Sequence, residues 1–224
     1  MNSVDASVNT GPDGRRGRWA DHREQRRAEL TAAAIEAIRE LGPEIGMDTI
    51  AAHAGVSKPV LYRYFADKSQ LWQAVGQQGA AFAIAAIGPA VAAVREERDV
   101  IHAAIDAYLT HIEADPHLYL FVVHQPGIAR ARDVVAEVID TVASGLASIL
   151  GDRLRALGLD TGPALPWAYG VVGYVQTTAD WWLRRQKPIS RAALSDYLTT
   201  LLWSGVSGIK AAADLPGGLA VTGR

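Results

Sequence analysis

Two cations and two phenols, Lys58, Tyr62, Arg63 and Tyr64, fall within one short stretch of the chain. A third cation, Lys68, follows, and the hydroxyls of Thr49 and Ser57 lie just upstream. Ammonium and guanidinium groups donate to phosphate oxygens and guanine edges, and phenols and hydroxyls donate to phosphates. Between them, the Pro59 ring and Val60 offer apolar surface of the kind that meets a thymine methyl. This is the chemistry of DNA contact. The chain has no cysteine, so thiolate metal sites, disulfides and a cysteine nucleophile are excluded. Its six histidines show no HExxH or similar metal spacing. Gly145 to Gly151 lies inside a helical pattern and lacks the Gly-Lys-Ser/Thr ending of a phosphate loop. No metal, cofactor or catalytic residue is expected.

Those donors need a scaffold, and Met47 to Lys68 supplies one. Asp48 is the expected N-cap of a short helix through His53. Gly55 then breaks it, because glycine accepts the positive φ of a tight turn. Ser57 is placed to cap a second helix, and Pro59 falls in its first turn, where a missing N–H costs little. Ile50, Ala54, Val56, Leu61 and Phe65 form the inner packing. Lys58, Pro59, Val60, Tyr62 and Arg63 are left on the outer face, at the part of a helix-turn-helix that enters the major groove. Lys68 opens the next helix, where its ammonium and nearby backbone N–H groups are expected to hold a phosphate.

Thr49, Ile50, Ala51, Ala54, Gly55, Val56, Ser57, Leu61, Tyr62, Tyr64, Phe65 and Lys68 together make the pattern T-I-A…A-G-V-S-x-x-x-L-Y-x-Y-F-x-x-K. This segment resembles the DNA-binding domain of TetR-family transcriptional regulators. A preceding helix from about Arg23 to Leu41, with Leu30, Ala34, Ile38 and Leu41 on one stripe, fits the same resemblance. The turn after it departs from the family's aromatic-glycine pattern, reading Leu41-Gly42-Pro43 and then Glu44-Ile45-Gly46. The resemblance implies an all-α protein: a three-helix helix-turn-helix domain followed by a larger helical domain that binds an effector and dimerises.

The net charge of −2 looks wrong for such a role, and the first 70 residues balance ten Lys/Arg against ten Asp/Glu. The charge is patterned, however. Arg15, Arg16, Arg18, Arg23, Arg26 and Arg27 face only Asp21 and Glu24 in their own stretch. Local patches matter more than the total, since screening confines phosphate contacts to about 10 Å. The expected organisation is a disordered basic arm over 1–17, the DNA-binding domain over 18–70, the effector and dimerisation domain over 71–213, and a flexible tail over 214–224. No 18-residue run is free of charges and breakers, and no apolar signal core opens the chain, so a cytoplasmic protein is expected.

Helical spacing dominates beyond Lys68. Helices are expected from Lys68 to Ile87, stopped by Gly88-Pro89; from Asp99 to Ala114; from Pro116 to Val123, capped by Asp115; from Ala131 to Leu157; from Leu165 to Arg185; and from Ser190 to Ala212. The helix from Leu165 is apolar nearly all round, which implies burial on several sides. Aromatic and polar residues on these helices are candidates for an effector pocket: Tyr108, His111, Tyr119, Phe121, His124, Trp167, Tyr174, Thr178 and Trp182. Leu194, Leu198, Leu201 and Gly205 are the expected dimer interface, since the resemblance assigns dimerisation to the last two helices. The function expected is a ligand-responsive regulator, a repressor, binding a palindromic double-stranded operator as a homodimer and modulated by a small apolar effector, with no role in a membrane. An enzyme with a fused helical DNA-binding domain, or a DNA-architectural protein without an effector, are the rival readings.

Overall fold

The computed structural model describes residues 12–124 and 131–213. They form α1 (Pro12–Leu41), α2 (Met47–His53), α3 (Lys58–Tyr64), α4 (Lys68–Ala92), α5 (Glu97–Ala114), α6 (Pro116–Val123), α7 (Ala131–Ala156), α8 (Ala164–Arg184) and α9 (Arg191–Ala213), with no strand among the described residues. The chain divides into two compact units between Val75 and Gly76. The division falls later than the expected boundary at 70 because Leu71, Trp72 and Val75, all buried, belong to the first unit.

In the first unit, α1 packs on α2 and α3. Leu30, Ala34, Ile35, Ala37 and Ile38 supply its buried face. Leu41, expected on that stripe, is exposed, because it is the last residue of α1 and the chain turns at Gly42 with φ +95°. The helix starts at Pro12, so residues 12–17 are helical where a disordered arm is expected. The remainder of that arm, residues 125–130 and the tail from 214 lie outside the described residues.

The second unit is built around α5, whose Ile105, Leu109 and Ile112 are buried at helical spacing. They meet Ala179 and Trp182 of α8 and Leu194 and Leu198 of α9 in one core cluster. Each such fully buried aliphatic side chain stabilises by about 1.5–3 kcal/mol relative to exposure. Polar contacts fix the register of α5 against α9: Arg191 pairs with Asp106 at 2.7 Å, and the buried Ser195 Oγ donates to Asp106 Oδ1 at 2.9 Å. The turn between α8 and α9 is closed by Trp182 Nε1 donating to the Ile189 carbonyl at 2.8 Å. α7 packs along α8.

Two local expectations meet different outcomes. Asp115 caps α6 as its type predicts, its carboxylate accepting from the Leu118 N–H at 3.3 Å. By contrast α4 runs through Gly88-Pro89 to Ala92 and does not stop there. Pro89 forfeits one backbone bond, but Ala93 N still donates to the Pro89 carbonyl at 3.2 Å, so the last turn closes. α4 is also the one helix among the described residues long and apolar enough to cross a membrane. Its apolar side chains have other employment, in the core of the first unit and along a cavity of the second.

Candidate functional site

The turn between α2 and α3 is set by Gly55, which has φ +65°. The Gly55 N–H donates to the Ala52 carbonyl at 3.1 Å and the Val56 N–H to the Ala51 carbonyl at 3.0 Å, a paired closure that satisfies two carbonyls at the end of α2. Gly46, and not Asp48, is the N-cap of α2; the helix begins at Met47, whose side chain is buried, and this places Asp48 in the first turn. Ser57 is the N-cap of α3 by backbone conformation, but its hydroxyl makes no capping bond and is exposed.

The faces of α3 divide as the residue types require. Leu61 and, just beyond the helix, Phe65 are fully buried. Lys58, Pro59, Tyr62 and Arg63 are exposed, Val60 and Tyr64 half-buried, and Thr49 on α2 is exposed. The Arg63 guanidinium lies 5.4 Å from the Tyr64 ring centroid. The sequence-predicted donors thus share one surface of a short, well-buttressed helix. Lys58 does not stand alone there: its Nζ sits 2.7 Å from Asp48 Oδ1, and this hydrogen bond and charge raise the lysine pKa.

Two local arrangements bear on the cations near the helix-turn-helix. At the start of α4, Asp67 Oδ1 accepts from the Gln70 N–H at 2.8 Å, and Gln70 Oε1 accepts from the Ala66 N–H at 3.1 Å. A carboxylate therefore occupies the helix end beside Lys68, where it takes up the Gln70 N–H and opposes an approaching phosphate. On α1, Arg27 packs its guanidinium 4.8 Å from the Phe65 centroid and donates to the Tyr64 carbonyl at 3.5 Å, and Arg26 pairs with Glu29 at 2.6 Å. Arg27 is a structural cation that ties α1 to the end of α3.

The second unit contains a cavity of about 760 Å³ bordered by α4, α5, α6, α7 and α8, with Leu202 of α9. The size suits a small-molecule ligand. Of the aromatic and polar candidates, Tyr108, His111 and Tyr119 line it. Phe121, His124, Trp167, Tyr174, Thr178 and Trp182 do not. Trp182 and Phe121 are consumed by packing, both almost fully buried, and His124 pairs with Asp180. The wall is mostly aliphatic, built from residues that sequence reasoning misses: Ala80, Ala83 and Ile87 of α4, Val142 and Leu146 of α7, Val171 and Val175 of α8. Among the described residues lining it there is no lysine or arginine.

The expected dimer contacts also separate. Leu194 and Leu198 are each only 2% exposed and belong to the core of their own chain, so they are unavailable to a partner. Leu201 is 63% exposed, Gly205 is exposed, and Tyr197, one turn before Leu201 on the same stripe, is 64% exposed. On α8, Leu165, Tyr169 and Trp181 are exposed apolar residues as well.

Comparison with known proteins meets this architecture directly. The family model described as bacterial regulatory proteins, tetR family, matches residues 30–75. The model described as tetracyclin repressor-like, C-terminal domain, matches residues 86–219, more than half of the chain. The chain belongs to the TetR family. An uncharacterized HTH-type transcriptional regulator of Mycobacterium tuberculosis is 38% identical over 206 residues, covering 91% of this chain and 86% of that protein. The HTH-type transcriptional activator FasR of Mycolicibacterium smegmatis is 31% identical over 191 residues, 83% of this chain and 84% of that protein. Among solved structures, FadR of Bacillus subtilis in complex with stearoyl-CoA superposes with a TM-score of 0.61 at 21% identity, covering 79% of this chain and 97% of that one. As a TetR-family member this chain is a transcriptional regulator, not an enzyme.

Proposed function

We propose that this TetR-family regulator binds a palindromic operator as a homodimer in the cytoplasm, and that an apolar effector in the second unit alters that binding. The observation that carries the effector half is the largely aliphatic cavity, with no lysine or arginine among its described lining residues. Its chemistry favours a hydrocarbon chain over a sugar or nucleotide, which would leave polar groups unpaired. The fold-level neighbour solved with stearoyl-CoA supports the same class. The DNA half rests on Thr49, Ser57, Lys58, Pro59, Val60, Tyr62, Arg63 and Tyr64 around α3, with Lys68 as a side-chain phosphate contact. The exposed row Tyr197-Leu201-Gly205 on α9, with the exposed Leu165, Tyr169 and Trp181 on α8, supports pairing with a second copy, because exposed apolar surface of this kind marks contact surfaces. Repression is the expected sign, and the relative named as an activator makes activation the specific alternative.

The test is operator titration, on sites selected from genomic DNA, with and without medium- and long-chain acyl compounds. A shift in operator affinity that is abolished by Ala83→Trp, with ligand-free DNA binding intact, is the expected result. Affinity unmoved by any acyl compound would remove the effector reading. A footprint over one isolated half-site, in place of two about 34–36 Å or a multiple apart, would remove the dimer reading.

A further inference from the structure

The cavity is not uniformly apolar. Tyr108, His111 and Asp115 line it from the end of α5, and Tyr119 from the following α6. Tyr119 Oη is shut off from solvent and completes no hydrogen bond of good geometry among the described residues, although the Tyr108 hydroxyl lies near enough to interact with it. A buried hydroxyl in that condition costs about 1–3 kcal/mol, and buried polar groups are otherwise almost always paired.

We propose that this end of the cavity takes an uncharged hydrogen-bond acceptor, the carbonyl oxygen of a neutral acyl derivative such as an ester, with Tyr119 and Tyr108 as donors, and that it rejects a free carboxylate. The proposal rests on the effector reading above and names the polar chemistry of that ligand. Three observations favour it. Both phenols are held as protonated donors: burial pushes Tyr108 up to about 12, against a lowering by its hydrogen bond with Tyr119, and burial, then Tyr108 and then Asp180, raise Tyr119 as well. The described lining contains one carboxylate, Asp115, and no lysine or arginine. Asp180, outside the lining, is paired with His124 and with Arg184 at 2.8 Å. A ligand carboxylate would therefore be desolvated beside Asp115, with Arg184 already committed to Asp180, which is strongly unfavourable. A carbonyl needs only a donor, and two neighbouring phenols that share one hydrogen bond still have one O–H to give. Gly76 and Gly79 of α4 also line the cavity.

The test uses the full-length protein and calorimetric titration at pH 8. The probes are methyl decanoate, decanoate and 1-decene. Methyl decanoate should bind at least about tenfold more tightly than decanoate. Tyr119→Phe should weaken methyl decanoate by about three- to tenfold, one neutral hydrogen bond, and leave 1-decene unchanged. Tyr108→Phe should act in the same direction, and circular dichroism confirms that each variant is folded. Equal or tighter binding of decanoate overturns the proposal while leaving the effector reading in place. So does a Tyr119→Phe protein that binds the ester like wild type, which makes the hydroxyl a mere packing defect. Failure of all three probes to bind removes both.

Discussion

Lys58 on α3 and Asp48 on α2 are joined across the helix-turn-helix, Nζ to Oδ1 at 2.7 Å, on the surface where the cation would meet a phosphate. An acid holding a DNA-facing lysine competes with the DNA for it. Both side chains are exposed, so the pair itself adds little to stability. Its consequence is for binding: Asp48→Asn should strengthen association with any duplex by up to about fivefold. Filter binding between 50 and 200 mM salt checks this. A weaker complex would show that Asp48 orders Lys58 and does not restrain it.

Lys58, Arg63 and Lys68 should separate by the kind of defect each produces. Lys68→Ala is expected to weaken binding to all sequences and to lower the salt slope by about one. Lys58→Ala/Arg63→Ala should act mainly on the selected operator, costing about 1–3 kcal/mol for each base pair no longer read. A folded double variant with undiminished operator affinity would reject α3 as the reading helix.

The two faces of α9 give opposite outcomes for similar substitutions. Leu201→Glu or Tyr197→Glu should yield a folded monomer by sedimentation, since both positions are exposed in the single chain. Leu198→Ala should leave association intact and cost about 2–5 kcal/mol in denaturant unfolding, because it opens a cavity in the α5–α8–α9 core. Reversal of these two results would mean the faces are assigned the wrong way round.

Backbone conformation predicts a third contrast. Gly55, at φ +65°, has open space where a Cβ would go, so Gly55→Ala should cost about 1–2 kcal/mol of left-handed strain and nothing in clash. Gln186, at φ 60°, closes α8: its N–H donates to the Leu183 carbonyl, and the Lys187 N–H to the Trp182 carbonyl. Gln186→Gly should raise stability by about 1 kcal/mol. Thermal unfolding of both variants decides; a stabilising Gly55→Ala would contradict the turn geometry.

The helix-turn-helix is legible in the sequence because its signals are local and chemically distinct. Gly55, Ser57 and Pro59 punctuate a stretch in which Leu61 and Phe65 can face only inward. The cap of α2 is harder to place, because Gly46 serves as well as an aspartate, and nothing in Asp48 itself says that Lys58 will claim it. The cavity is the least legible part. Alanines and valines of α4, α7 and α8 carry no signature, whereas aromatics attract notice, and Trp182 is core. On α9 both stripes are apolar, so periodicity finds two faces and cannot say which one α5 covers.

Trp181 and Trp182 are neighbours in sequence with opposite surroundings, 43% and 0% exposed. The first looks outward from α8; the second is clamped to the Ile189 carbonyl inside the core. Adjacent indoles in water and in hydrocarbon emit at different wavelengths, so the chain carries its own pair of optical reporters. The chain has six tryptophans, so it is the difference in emission between wild type and Trp182→Phe that follows the melting of the core. The difference against Trp181→Phe follows whatever comes to cover the outer face of α8, without a label having to be attached.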